Sequence, residues 1–107
     1  MPRGGEEEAR AFYNGILSIH EVPKPADLAV RGGCWFEDGD LKIHIGVEEN
    51  FRPAQKAHPA LLVEDLETLI TKLTAAGVGV ETKDVEDQIH AYIHDPFGNR
   101  IELLGLS

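Results

Sequence analysis

The chain repeats itself, and a repeat constrains architecture more tightly than any single motif. Ala9, Phe12, Tyr13 and Ile16 carry the i, i+3, i+4, i+7 spacing of one helix face. Leu66, Leu69, Ile70 and Leu73 carry it again, 57 positions on. At the same offset Trp35 and Asp38 recur as Tyr92 and Asp95. Each aspartate opens a turn, Asp38-Gly39-Asp40 in one half and Asp95-Pro96-Phe97-Gly98-Asn99 in the other. After each turn comes an alternating segment, Leu41–Ile45 and then Arg100–Leu104, as a strand with two different faces requires.

Each half therefore reads as a helix followed by three strands. The first helix spans about 6–16, with Glu6, Glu7 and Glu8 in its first turn, where negative charge suits the helix dipole. The second runs from a capping Asp65 to Ala76, with Gly77 as its stop. Strands are expected at 17–22, 32–37 and 41–47, then at 78–83, 89–94 and 100–104. The second half has one strand more, 57–63, which is apolar on both parities and reads as buried on both faces. In the first half that place holds only Met1-Pro2-Arg3-Gly4-Gly5. The expectation is one α+β domain of two modules, 1–50 and 57–107, the first lacking its leading strand.

Composition narrows the partners. The length, 107 residues, suits one domain. A net charge of −9 argues against nucleic acid and against an anionic membrane surface, both of which need clustered positive charge. No apolar run approaches the ~18–20 residues of a membrane span, and the charged N-terminus does not read as a signal peptide. The single cysteine, Cys34, excludes an internal disulfide and a cysteine-based zinc site. These features point to a cytoplasmic domain.

The strand faces carry the chemistry. Leu41, Ile43, Ile45 and Val47 share one face of the first module's last strand, and Lys42, His44 and Gly46 share the other. In the second module Ile101 and Leu103 oppose Glu102, while His90, Tyr92 and His94 alternate with Ala91 and Ile93. Pairing 94 with 100 sets Tyr92 across from Glu102. A face of imidazoles, a carboxylate and aromatics suits a cupped sheet around a ligand better than a plain wet surface.

Three segments carry a family resemblance: Ala11-Phe12-Tyr13 with Leu17, Ala57–Val63 with His58 at its start, and His94-Asp95-Pro96-Phe97-Gly98-Asn99-Arg100-Ile101-Glu102-Leu103. On these residues the chain resembles the vicinal oxygen chelate superfamily of glyoxalases, fosfomycin- and bleomycin-resistance proteins and extradiol dioxygenases. The resemblance implies paired βαβββ modules forming a cupped mixed sheet over a ligand pocket, in a homodimer. It implies a divalent metal held from the start of each module's first strand and from each module's last strand. Position by position His58 and Glu102 match, with Glu102 also the candidate catalytic carboxylate. The position matching Glu102 in the first module is Lys42. His44, two residues on and facing the same way, is the candidate third ligand, since imidazole and carboxylate suit a first-row divalent ion.

Plainer roles stand beside these. His58 reads equally as a strand-end histidine satisfied by backbone, and Glu102 as a solvated carboxylate or the partner of Lys42. Trp35 and Tyr92 read as pocket walls or core, Arg52 as an anion contact or an exposed linker residue, and His90 and His94 as pocket lining or turn support. Two functions follow from the resemblance. One is a metal-dependent enzyme that chelates vicinal oxygens of a small substrate. The other is a metal-free module that binds a small molecule such as an antibiotic.

Overall fold

A computed structural model describes residues 1–106. The chain forms two compact units, Met1–Arg52 and Pro53–Ser107.

In the first unit α1 (Glu6–Ala9) runs straight into a π-helix over Arg10–Ile16. The widened turn is closed by Leu17 N–H donating to Phe12 C=O at 2.9 Å, five residues back. Widening brings Phe12 and Tyr13 together onto the core side with Ala9. Tyr13 stacks on Phe36 at 5.3 Å, and Phe12 meets the Tyr13 ring edge-on at 5.0 Å. Phe12 is thus only 3% exposed.

A three-stranded antiparallel sheet follows, ordered β1 (His20–Val22), β2 (Cys34–Asp38), β3 (Leu41–Ile45). β1 starts later than expected because Ile19 N–H still donates to Tyr13 C=O, closing the helix. A short α2 (Ala26–Ala29) sits between β1 and β2; its four residues are too few to show a periodicity. Gly33 enters β2 at φ +86, where an added Cβ would lie 2.2 Å from Ile45 C=O, so only glycine fits. Cys34 is buried and free. Beyond β3 the chain meets its own first residue. The Met1 ammonium donates to Gly46 C=O at 2.8 Å, and Glu48 N–H donates to Met1 C=O at 3.0 Å. Met1 is buried there, and among the described residues β3 over Leu41–Ile45 pairs only with β2.

The second unit has a four-stranded mixed sheet ordered β4 (Ala60–Val63), β7 (Arg100–Gly105), β6 (Gln88–His94), β5 (Glu81–Val85), with α3 (Leu66–Ala75). β4 runs parallel to β7; the other pairs are antiparallel. Asp65 caps α3 by accepting from Thr68 N–H at 3.1 Å. Gly77 ends it at φ +83, and Val78 N–H then donates back to Leu73 C=O. That closure uses up the residues after the helix and moves β5 three places past its expected start. Leu73 is fully buried with Ala91, Ile93, Ile101 and Leu103, while Leu66, Leu69 and Ile70 are half-buried. Contrary to expectation, β4 is not covered on both faces: as the sheet's edge strand it leaves Leu62 70% exposed.

Candidate functional site

The second sheet has one face toward its core and one open. Ala91, Ile93, Ile101 and Leu103 take the first; His90, Tyr92, Arg100 and Glu102 alternate onto the second. The register is fixed by the Asp95 turn. The Asp95 carboxylate accepts from the Phe97 and Asn99 backbone N–H groups and from the Asn99 amide, all at 2.8–2.9 Å. Asp95 N–H donates to Asn99 C=O. This pairs His94 with Arg100 and sets Tyr92 across from Glu102, as the sequence predicts.

The parallel strand supplies the next group. Glu102 N–H donates to Pro59 C=O at 2.9 Å, which holds the residue before β4 beside Glu102. His58 Nε2 then lies 2.8 Å from Glu102 Oε1. The other ring nitrogen, Nδ1, lies 2.8 Å from Lys56 C=O. Glu102 Oε2 is engaged by a second imidazole, His90 Nδ1, at 2.5 Å. His90 sits diagonally across the strand pair from Glu102, within side-chain reach. The three side chains are 14–22% exposed, so they are shielded but open to a ligand.

Electrostatics follow from this arrangement. The imidazole donors, His90 first and then His58, hold the Glu102 carboxyl below its ordinary value, so it is ionised at neutral pH. His58 is raised above the usual imidazole value, first by the Lys56 carbonyl and then by Glu102, with the nearby Arg100 charge opposing. A carbonyl and a carboxylate can only accept, so both ring nitrogens of His58 carry protons in this arrangement. Tyr92 lies beside these groups, its ring 5.9 Å from the His58 ring and beneath the Arg100 guanidinium at 4.7 Å. A concave pocket of about 540 Å³ opens alongside, lined by Gln55, Glu81, Tyr92, His94 and Arg100 among others.

Of the sequence-predicted residues, His58, Glu102 and Tyr92 come together in the second unit. Trp35, His44, Lys42 and Arg52 belong to the first. His44 is exposed and stacked on Trp35, ring centroids 3.8 Å apart. Lys42 Nζ lies 3.4 Å from Glu37. Arg52 is exposed at the end of its unit. The register also corrects the positional match. Trp35 pairs with His44 as Tyr92 pairs with Glu102, so His44, not Lys42, is the counterpart of Glu102. Sequence reasoning gave His90 a lining or turn-support role; its place two residues before Tyr92, diagonal to Glu102, was the signal that could have found its contact.

A divalent ion needs several donors converging on one point. His58 and Glu102 provide nitrogen and oxygen side by side, but the nitrogen of each histidine is turned to its own carboxylate oxygen. Among the described residues no group of three or more His, Cys, Asp or Glu side chains is placed to hold a metal ion. The residues present therefore do not form a fitted metal centre.

No protein-family model and no curated protein matches the chain. Solved structures do. A protein from Bacillus anthracis assigned to the glyoxalase family is 47% identical over 100% of this chain and 88% of its own, with a TM-score of 0.94. A glyoxalase/dioxygenase from Nostoc punctiforme is 21% identical over 94% of this chain and 83% of its own, at 0.77. The fosfomycin resistance protein FosX of Listeria monocytogenes is 16% identical over 94% of this chain and 84% of its own, at 0.76. The last two agree in fold.

Proposed function

The chain belongs to the glyoxalase family, and from that premise we propose that it takes a small molecule on the open face of its second sheet and acts there without a resident metal. The observation that carries this is the engagement of both Glu102 oxygens by imidazoles, 2.8 Å from His58 and 2.5 Å from His90. Glu102 is then an anionic anchor. It is a weak base in this state, because both of its oxygens accept hydrogen bonds. His58 is the group that handles protons. A carbonyl or hydroxyl oxygen of the ligand that approaches Nε2 competes with Glu102 for its proton, and charge developing on that oxygen is stabilised by the imidazolium. After the proton leaves, Lys56 C=O keeps the ring oriented through Nδ1–H. Tyr92 forms the wall beside it. Trp35, Lys42 and Arg52 are assigned no part in this step.

A second reading has its own support. His58 Nδ1–H on a backbone carbonyl is the arrangement that orients a metal-ligating histidine. In that reading His58 and Glu102 would hold a divalent ion, which would supply Lewis-acid chemistry for adjacent oxygens of the substrate.

Total metal analysis of protein purified without chelator, followed by titration with Mn²⁺, Ni²⁺ and Zn²⁺, separates the two. Substoichiometric metal and no saturable binding support the metal-free reading. One equivalent retained through gel filtration, and lost in both His58→Gln and Glu102→Gln, replaces it with the metal-dependent one.

A further inference from the structure

Among the described residues Arg100 is a cation without an anion. Its guanidinium lies 4.7 Å from the centroid of the Tyr92 ring, and among the described residues it enters no ion pair and no side-chain hydrogen bond. The carboxylates of that face do not serve it. Glu102 has both oxygens engaged by imidazoles, and Glu81, on the wall of the same pocket, forms no ion pair with it. Arg100 is half-buried. The Tyr92 ring beneath it limits where the fork can go, and a guanidinium fork meets a carboxylate or phosphonate with two hydrogen bonds.

Further donors stand close by. Gln55 and His94 line the same pocket of about 540 Å³, and Lys83 Nζ lies 5.4 Å from the Tyr92 centroid. The chain as a whole carries −9, so a small anion gains nothing from the overall field and must be held by these local cations.

We propose that this pocket binds a small organic oxyanion, a carboxylate or phosphonate, with Arg100 as its anchor and Tyr92 as the shelf beneath the guanidinium. The proposal deepens the reading above and rests on it in one respect: the rest of the ligand extends past Tyr92, so that its neighbouring oxygen reaches His58.

The test is an NMR titration of ¹⁵N-labelled protein near neutral pH and low salt with three probes: pyruvate, acetylphosphonate and neutral hydroxyacetone. The expected result is saturable shifts at Tyr92, His94 and Arg100 with pyruvate or acetylphosphonate, and none with hydroxyacetone. Whichever of the two anions binds more tightly identifies the group. Arg100→Gln should weaken that anion about tenfold or more, and Arg100→Lys should weaken it less, because charge survives but the fork does not. Weaker binding in Arg100→Gln with no weakening in His58→Gln keeps the Arg100 anchor and removes the His58 reading, so the two failures register separately. Equal binding of an anion by wild type and a folded Arg100→Gln would overturn the proposal, as would the absence of shifts with both anions. Should Arg100→Gln not fold, wild-type affinity in Arg100→Lys overturns it.

Discussion

His44 lies flat on Trp35, ring centroids 3.8 Å apart and planes 4° from parallel. The two face each other across β2 and β3 in the register that Tyr92 and Glu102 share across β6 and β7. The repeat thus keeps an aromatic wall at one position of each module and a polar group opposite. Trp35 is the only tryptophan, so its emission reports on this contact alone. His44→Ala should change the intensity of that emission and cost less than ~1 kcal/mol of stability, because His44 is exposed. Unchanged emission in a folded variant would refute the stacked arrangement.

Leu73 is the apolar anchor of α3 on its sheet, fully buried. Leu73→Ala should destabilise the protein by ~2–5 kcal/mol in urea unfolding. A cost near zero would mean that the helix does not pack as described.

The site makes stability depend on pH in two windows. Glu102 has a lowered value in the folded chain. Its contribution is complete above the unfolded carboxylate range and is lost as pH falls through the folded value. His58 has a raised value. Its contribution is complete below the unfolded imidazole value and is lost as pH rises through the folded one. Urea midpoints should be highest between the two, and His58→Gln should flatten the alkaline side selectively. A wild-type profile that rises through the imidazole range would oppose this assignment.

The first module is the expected seat of a homodimer. β3 pairs on one side only over Leu41–Ile45, and such an edge invites a partner strand. Met1 covers the chain only beyond it, at Gly46 and Glu48. Light scattering at low micromolar concentration should return the mass of two chains, and Ile43→Lys, placed on that edge, should shift the balance toward one. A single-chain mass for wild type would remove the expectation.

Much of this was legible in the sequence, for identifiable reasons. The helix at Leu66–Ala75 was announced by its period, by Asp65 and by Gly77. The Tyr92–Glu102 pairing followed from one turn and one alternation. What was hidden depended on local closure and on the third dimension. The π-helical turn at Arg10–Ile16 has the same apolar residues as an α-helix, and only its hydrogen bonds tell them apart. Burial of β4 was overestimated because apolar residues on both parities also suit an edge strand such as the one carrying Leu62. The match to Glu102 was placed at Lys42, two residues before its counterpart in the strand register, His44. The contact of His90 with Glu102 is a diagonal, which no periodicity marks.

The central claim is that Glu102 is held between the protons of two imidazoles. Long-range ¹H–¹⁵N correlation of the histidine side chains measures it directly, near neutral pH with and without Mg²⁺, Zn²⁺ or Ni²⁺. The account predicts that His58 carries protons on both ring nitrogens, that His90 carries one on Nδ1, that Glu102→Gln perturbs both rings, and that the metals leave the spectra unchanged. A bare Nε2 on His58 in metal-free protein, or a stoichiometric shift of that nitrogen on adding Zn²⁺ or Ni²⁺, would contradict it.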